Sequence, residues 1–193
     1  TVKDSIIVTL SRSGQTTEIV EDVKDIKAKF NCPVISISMK DNNDIMNFSD
    51  LDIILDWCYD QSVWKTRTVT NLYSAILLLA SIYNNDDKLM KSVKIASDIN
   101  EAFKNEYRPL LQKIAAKDWN NVIVLADGAL AGIAEEGALA FTEICMLPGQ
   151  HFNLLDYRHG PIVINSEKTL NIAVIRPNEK LLQGNMINDI KNH

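Results

Sequence analysis

In residues 5–30, SIIVTLSRSGQTTEIVEDVKDIKAKF, the pattern of apolar residues changes from that of a strand to that of a helix across a single short loop. The run SIIVTL is rich in β-branched residues and bounded by turn residues, which predicts a strand. After the loop, apolar residues recur at helical spacing at Ile19, Val23, Ile26 and Phe30. The stretch therefore predicts a strand, a loop and an amphipathic helix, and the loop, residues 11–17, is rich in serine and threonine and contains one glycine.

The same alternation recurs along the chain. PVISIS and LDIILD have the length and composition of strands, and QSVWKTRT leads into a helical stretch that includes Leu72, Leu79 and Ile82. In the second half, NVIVLA predicts a strand, DGALAG a turn, IAEEGALAFTEICML a helix and TLNIAVI another strand. Strands that alternate with helices indicate parallel sheets covered by helices, the α/β class.

A helical connector is expected between the two halves. Residues 86–117 carry apolar residues at mostly helical intervals among charges, and Pro109 is expected to interrupt the helix.

Ligands of open α/β sheets bind at the carboxyl ends of strands, and the loop from Ser11 to Thr17 falls at such an end.

Composition excludes several classes of protein. The 193 residues are 46% hydrophobic and 23% charged, which suits one ordinary globular domain or two small ones. The longest apolar stretch, AILLLASIY, is too short to span a bilayer, and no export signal opens the sequence, so we expect a cytoplasmic protein without a membrane partner. A net charge of −5 without massed lysines argues against nucleic acid.

Cysteine and histidine spacing gives no sign of a metal, a cofactor or a disulfide set. Cys32, Cys58 and Cys145 are odd in number and widely separated, which is typical of reduced, buried thiols. The three histidines lack the spacing of zinc ligands. We therefore expect no metal and no cofactor.

The hydroxyl loop fits a phosphate. Unpaired N–H groups at a helix N-terminus favour an anion, short hydroxyl residues complete a neutral cradle, and Gly14 lets the backbone approach the ligand. The alternative is that the serines and threonines only cap the helix. The loop is not a Walker motif, and DGALAG lacks the spacing of a dinucleotide-binding turn.

A second set of candidate residues lies on the predicted helix of the second half. Glu136, Ala140 and Glu143 are spaced at i, i+4 and i+7, so one face of an otherwise apolar helix carries two carboxylates. A buried acid needs hydrogen-bond partners or a raised pKa, and a raised pKa suits proton transfer near neutral pH. Further on, RHGP places His159 on a rigid turn, which we expect beside the glutamate face as an acid or base. Structural roles for Glu136 and for the histidine stay open.

SRSGQT followed by a helix, together with AEEGALAFTE and RHGP, resembles the SIS family of sugar isomerase and phosphosugar-binding domains. The likeness is to tandem-SIS enzymes: the isomerase part of glucosamine-6-phosphate synthase, and ketosamine-phosphate deaminases and deglycases. It covers nearly the whole chain. The resemblance implies a flavodoxin-like three-layer α/β/α sandwich in each of two SIS halves: residues 1–85 as the C-terminal part of the first domain, 86–117 as connector and 118–193 as the N-terminal part of the second.

The resemblance also implies roles for named residues. Ser11, Ser13 and Thr16 would hold the phosphate of a sugar phosphate, with Arg12 contributing backbone. Val63 and Lys65 would lie on the segment that closes over the sugar, and Glu136 would contact it. Glu143 would move the proton between C1 and C2, and His159, donated by the neighbouring subunit of a homodimer or higher oligomer, would help to open the ring.

Two departures from the family pattern bear on function. A lysine is expected where this chain has Ala140, so the cation on the Glu136–Glu143 face is missing. The chain also opens at a strand in mid-domain and stops soon after TLNIAVI, which we interpret as an internal fragment. Open sheet edges tend to pair, so partners or further segments are expected.

Two hypotheses of function follow. The first is an aldose-ketose isomerase, or a ketosamine-6-phosphate deaminase or deglycase, that acts on a hexose 6-phosphate through enediol or enolamine chemistry, with Glu143 and His159 as catalytic residues. The alternative is a non-catalytic module that senses a phosphosugar for regulation. Retention of Glu143 and His159 favours the enzyme, whereas Ala140 and the truncation favour the sensor. An α/β scaffold that binds no ligand ranks last, since it leaves the hydroxyl loop and RHGP as coincidence.

Overall fold

The computed structural model of the chain describes residues 2–178 and 180–192. The chain divides into two compact units, residues 1–103 and 104–193, and the division falls inside a long helix. Each unit contains one three-stranded parallel sheet among the described residues. The α/β class is therefore confirmed. The finer division at residues 85 and 117 stays a prediction.

The first unit is built on three parallel strands in the order β1-β2-β3. Their bounds, and those of the two helices that follow β1 and β3, are Ile7–Ser11 (β1), Thr17–Phe30 (α1), Val34–Ser38 (β2), Leu51–Ile54 (β3) and Arg67–Asn84 (α2). In register, Ser11 pairs with Ser38 and Ser38 with Ile54. The carboxyl ends of all three strands therefore lie side by side, at the edge of the sheet where the loop after β1 begins.

Short 3₁₀ helices and left-handed asparagines connect these elements. The 3₁₀ helices are Val2–Asp4, Asp44–Asn47 and Asp56–Cys58. Helix α1 ends at Asn31 with φ of 49°, and α2 ends at Asn85 with φ of 53°. In both cases the asparagine N–H bonds to a carbonyl of the last turn, which closes the helix in the left-handed conformation that asparagine tolerates.

The expected break at Pro109 is wrong. Helix α3 runs without interruption over Asp87–Ala115 with Pro109 inside it. Proline lacks the N–H that would bond to the carbonyl of Asn105, but both residues are exposed, so water can take the place of that donor. The helix therefore tolerates proline because this part of it is solvated.

The second unit repeats the parallel arrangement with the order β5-β4-β6. Its strands and helices are Asn121–Leu125 (β4), Ala131–Cys145 (α4), Gly149–Phe152 (β5), Thr169–Ala173 (β6) and Lys180–Asn192 (α5), with 3₁₀ helices at Gly128–Leu130, Asp156–His159 and Pro161–Ile164.

The second unit has three layers because β4 is buried on both faces. Val122 and Val124 pack against Ala134 and Ala138 of α4. Ile123 and Leu125 point to the opposite face and pack against a second group of apolar residues, which comprises Leu154, Tyr157, Ile162 and Met186. Helix α4 therefore covers one face of the sheet, and α5 with the two 3₁₀ helices after β5 covers the other.

Strand β5 was not predicted, because LPGQHF carries proline, glycine and polar residues in place of an apolar run. Its pairing with β4 instead depends on close approach to α4. A Cβ added at Gly149 would collide with the backbone carbonyl of Ala138, and the Gly149 N–H donates to the Thr142 hydroxyl at 3.0 Å. Glycine at 149 therefore lets the strand lie directly against the helix.

Two further sequence expectations concern cysteines and membranes. Cys32 and Cys58 are buried free thiols, and burial raises the pKa of Cys58, but Cys145 at the end of α4 is exposed, so its predicted burial is wrong. Across residues 2–178 and 180–192, no helix combines the length and the apolar character needed to cross a membrane.

Candidate functional site

The loop between β1 and α1 is a tight turn held by its own hydroxyls. Gly14 adopts a φ of +63°, and its N–H donates to the buried Ser11 Oγ at 3.0 Å. The Ser13 Oγ accepts the N–H of Gln15 at 3.2 Å. Ser11 therefore shapes the turn from inside, whereas Ser13 lies nearer the solvent.

Residues after β2 fix the position of this turn. The Ile45 N–H donates to the Gly14 carbonyl at 3.2 Å, and a Cβ at Gly14 would collide with the Asn43 side chain. Asn43 is itself buried, and its Nδ2 donates to Ser38 Oγ at 3.0 Å. Gly14 is thus needed both for its positive φ and for its contact with Asn43.

No side chain caps the N-terminus of α1. Thr16 occupies the N-cap with φ of −67° and ψ of 116°, but its hydroxyl makes no capping bond. The first helical hydrogen bond runs from the Val20 N–H to the Thr16 carbonyl, so the N–H groups of residues 17–19 have no acceptor within the helix. The capping interpretation is therefore wrong for Thr16. The first turn also contains an exposed carboxylate, Glu18.

Arg12 uses its side chain as well as its backbone. Its carbonyl accepts the Met39 N–H at 3.1 Å. Its Nη1 donates to the carbonyls of Asp60 at 3.2 Å and Ser62 at 2.6 Å, and the guanidinium lies over the Tyr59 ring, 5.9 Å from the centroid. Arg12 therefore joins the hydroxyl loop to the segment that follows β3, a function that the sequence prediction missed.

Asp60 organises that segment. It is buried, its Oδ1 accepts the Ser62 N–H and its Oδ2 accepts the Thr66 hydroxyl, both at 3.0 Å. These two hydrogen bonds hold the pKa of Asp60 below its ordinary value. Val63 and Lys65, which were predicted to contact a sugar, lie between these anchors and are exposed, Val63 to 76%. The segment thus has fixed ends and an accessible middle.

The glutamate face of α4 differs from what the sequence predicts. Glu136 and Ala140 are half-buried, and Glu143 is exposed. The helix buries its small residues Ala134 and Ala138 against β4 instead. The expectation of a buried catalytic acid is therefore wrong for Glu143 in a single chain.

His159 does not lie beside this face. It is exposed at the end of the 3₁₀ helix Asp156–His159, and that helix packs through Tyr157 on the face of the sheet opposite to α4. Glu143 and His159 of one chain are thus separated by the sheet of the second unit, so the two do not lie together within a chain. The implied donation of His159 by a neighbouring subunit stays a prediction.

Two anchors hold the turn that carries His159. The buried Tyr157 hydroxyl donates to Asn165 Oδ1 at 2.7 Å, and burial raises the pKa of Tyr157 to about 12. Arg158 pairs with Asp189 of α5 at 2.5 Å. These contacts, together with Gly160 at φ of 140°, orient the turn so that His159 faces solvent.

Metal ligands are not gathered anywhere in the described residues: no group of three or more histidine, cysteine, aspartate or glutamate side chains has the geometry to hold an ion. What the structure offers at the carboxyl end of β1 is a set of backbone donors with hydroxyls beside them, an arrangement suited to an anion.

Sequence comparison finds isomerising aminotransferases among the relatives of this chain. No protein-family model matches the chain. The glutamine-fructose-6-phosphate aminotransferase (isomerizing) of Buchnera aphidicola is 25% identical over 192 residues, which takes in 93% of this chain and 31% of that protein. The enzyme of the same name from Wigglesworthia glossinidia brevipalpis is 28% identical over 198 residues, 96% of this chain and 32% of that protein. The chain thus spans about a third of these curated relatives.

Solved structures with the same fold include phosphosugar enzymes. Glucosamine-6-phosphate deaminase from Thermotoga maritima matches with a TM-score of 0.85 at 19% identity, over 97% of this chain and 57% of that one. Tagatose-6-phosphate ketose/aldose isomerase from Escherichia coli matches with a TM-score of 0.81 at 18% identity, over 97% and 53%. The predicted resemblance to SIS phosphosugar proteins and the predicted fold are therefore confirmed.

Proposed function

We propose that this chain, which has the fold of SIS phosphosugar enzymes, binds a hexose 6-phosphate and takes part in its aldose-ketose isomerisation or in the related deamination or deglycation of a ketosamine 6-phosphate. The observation that carries the proposal is the N-terminus of α1, which no side chain caps and which follows a turn lined by Ser11, Ser13 and Thr16. The homology to isomerising aminotransferases supports the choice of a sugar phosphate.

The phosphate would lie against the first turn of α1. Free N–H groups and the helix dipole both favour negative charge there. Ser11 is buried inside the turn, whereas Ser13 and Thr16 are not, so the hydroxyls most accessible to the ligand are those of Ser13 and Thr16. Such a remote phosphate contact supplies binding energy that holds the reacting carbons in place. The exposed segment after β3 that contains Val63 and Lys65 would cover the sugar.

The reaction itself is a proton transfer. Glu143 would take a proton from the carbon beside the carbonyl to give an enediol or enolamine, and would return it to the neighbouring carbon. His159 would assist ring opening, and Glu136 would contact the substrate. Because Glu143 and His159 lie on opposite faces of one sheet, a site that uses both takes one of them from a second chain. We therefore propose a homodimer or higher homo-oligomer with shared sites, located in the cytoplasm.

Binding is tested first, by thermal shift with fructose 6-phosphate, glucosamine 6-phosphate and a fructosamine 6-phosphate. Ligand at 100 times its dissociation constant should stabilise the protein by about 2.7 kcal/mol. Changing Ser13→Ala with Thr16→Val should remove this shift and leave the unliganded protein folded, because neither side chain is buried. The matched control, Thr70→Val with Ser92→Ala, alters two exposed helix hydroxyls and should keep the shift. An equal response of both double variants would contradict the proposal.

The sensor is retained as a second candidate because Ala140 stands where the resemblance implies a lysine. The two functions differ in whether hydrogen beside the carbonyl exchanges with deuterated water, which NMR detects on each sugar phosphate. An enzyme should exchange it, and Glu143→Gln should lower the rate by about 10²–10⁴-fold while binding changes little. Tight binding without any exchange by the unmodified protein would favour the sensor.

A further inference from the structure

Lys40 is held at the rim of the hydroxyl loop by a rigid backbone. It is the second residue after β2, and the N–H of Met39, which precedes it, donates to the Arg12 carbonyl at 3.1 Å. The carbonyl of Lys40 accepts Asn43 Nδ2 at 2.7 Å and Ser38 Oγ at 3.3 Å. The point from which the lysine side chain starts is therefore fixed relative to the loop after β1.

The side chain of Lys40 reaches the loop itself. Its Nζ donates to Gln15 Oε1 at 3.1 Å, and Gln15 immediately precedes the N-cap of α1. An ammonium group has three N–H donors, so this contact leaves two available. Lys27 and Lys29 of α1, by contrast, form ion pairs with Asp50 and Asp25. In the part of the chain that the structure describes, Lys40 has a neutral amide as its partner and no ion pair.

The other cation near the loop, Arg12, contacts the segment after β3. Its Nη1 is bonded to two backbone carbonyls, and its guanidinium lies over Tyr59. These contacts direct Arg12 toward the segment after β3, where it serves to position that segment. Arg12 is thus directed away from the first turn of α1, whereas Lys40 lies beside Gln15 and keeps two of its three ammonium donors available.

We propose that Lys40 binds the phosphate group directly, as the charged ligand of a site whose other donors are backbone N–H groups and neutral hydroxyls. The inference rests on the proposed function and assigns a residue that the sequence analysis did not identify. A compact ammonium suits a phosphate as a point charge, and hydrogen bonds between two charged groups are about twice as strong as neutral ones. Lys40 would therefore favour a dianion over a monoanion, and Gln15 would orient it.

The test compares glucosamine 6-phosphate with glucosamine 6-sulfate by isothermal titration at pH 8. The two ligands carry the same amine and differ in whether the 6-substituent is a dianion or a monoanion. Lys40→Met should weaken phosphate binding about tenfold and sulfate binding less than threefold, since a charge-assisted bond is lost. Lys40→Arg should retain binding within threefold. Lys29→Met removes the same charge at the far end of α1 and should change neither constant.

A double-variant cycle separates ligand binding from a structural effect. Gln15→Ala should weaken phosphate binding two- to threefold when Lys40 is present and should have no effect in Lys40→Met, because its only contribution is to hold the ammonium. The assignment of Lys40 would be overturned if Lys40→Met weakened phosphate and sulfate binding equally, or if it bound the phosphate within twofold of the unmodified protein. Either result would leave the proposed function standing. If the unmodified protein binds no sugar phosphate, the proposed function fails and the assignment fails with it.

Discussion

At the scale of single residues, the hydroxyls that look alike in the sequence have different functions. Ser11 is buried and shapes the turn, Thr16 leaves the helix uncapped, and Ser13 bonds to the loop backbone. The sequence predicts that a polar turn follows β1, because hydroxyls and glycine between two apolar patterns are easily recognised. It could not predict Arg12 bonding to Asp60 and Ser62, because contacts 48 and 50 residues apart depend on the fold.

Asp60 should make the stability of the first unit depend on pH. The pKa of Asp60 is lowered in the folded protein. Its contribution to the free energy of unfolding is therefore present above the pKa of the unfolded chain, which is near 4, and is lost as the pH falls through the lowered pKa of the folded protein. Asp60→Asn should therefore destabilise the protein between pH 5 and 7, and its difference from the unmodified protein should shrink below about pH 4.

Urea unfolding at a series of pH values measures this difference. Asp22→Asn, an exposed change on α1, should show no comparable loss at neutral pH. A gap between Asp60→Asn and the unmodified protein that stays constant down to pH 3 would mean that the hydrogen bonds from Ser62 and Thr66 do not stabilise the ionised carboxylate.

At the scale of elements, the spacing of apolar residues predicts the helices and strands that bury one face. It does not predict elements that depend on close contact with another part of the fold. Helices α1, α2 and α4 and strands β1 to β4 and β6 follow from their apolar patterns. Strand β5 follows from the fit of Gly149 against α4, which no local pattern reveals. Pro109 predicts a break from local rules, but α3 is exposed around it and continues.

Replacing that proline should therefore stabilise α3. Pro109→Ala supplies the missing donor to the Asn105 carbonyl and removes the poorest helix former, and these gains exceed the added freedom of the unfolded chain. We expect a gain of about 2 kcal/mol in the free energy of unfolding, measured in urea and accompanied by more helical circular dichroism. Glu106→Ala, one turn earlier and exposed, should change stability by less than about 0.5 kcal/mol. Lower stability in Pro109→Ala would show that the proline is needed for α3.

At the scale of the whole molecule, two features bear on the proposed assembly with further copies. Helix α3 has no buried residue and exposes many large apolar side chains, among them Ile95, Ile99, Phe103, Leu110 and Leu111. Exposed apolar surface of this extent is typical of interaction sites. The placement of Glu143 and His159 on opposite faces of the second sheet is the second feature. The exposed apolar surface of α3 was beyond sequence reasoning, because a helical pattern states which residues share a face and not what covers it. A His159 donated by a second chain, in contrast, is what the family resemblance implies.

Complementation tests the shared site. Glu143→Gln and His159→Ala chains should each lack hydrogen exchange on fructose 6-phosphate, and mixing them should restore some exchange in heterodimers that carry one intact site. Mixing each variant with itself is the control. Mixed dimers that form, as shown by mass spectrometry of differently tagged chains, but remain inactive would count against a site built from two chains.

Binding of a sugar phosphate at the N-terminus of α1 is tested most directly by the backbone amide signals of a ¹⁵N-labelled chain. With glucosamine 6-phosphate, the N–H signals of Gln15, Thr16, Thr17 and Glu18 should shift to saturation, because these groups lie in or next to the uncapped first turn. Glucosamine without the phosphate should leave them in place. Saturable shifts that fall elsewhere while these four signals stay unmoved, or no shift at millimolar ligand, would contradict the account.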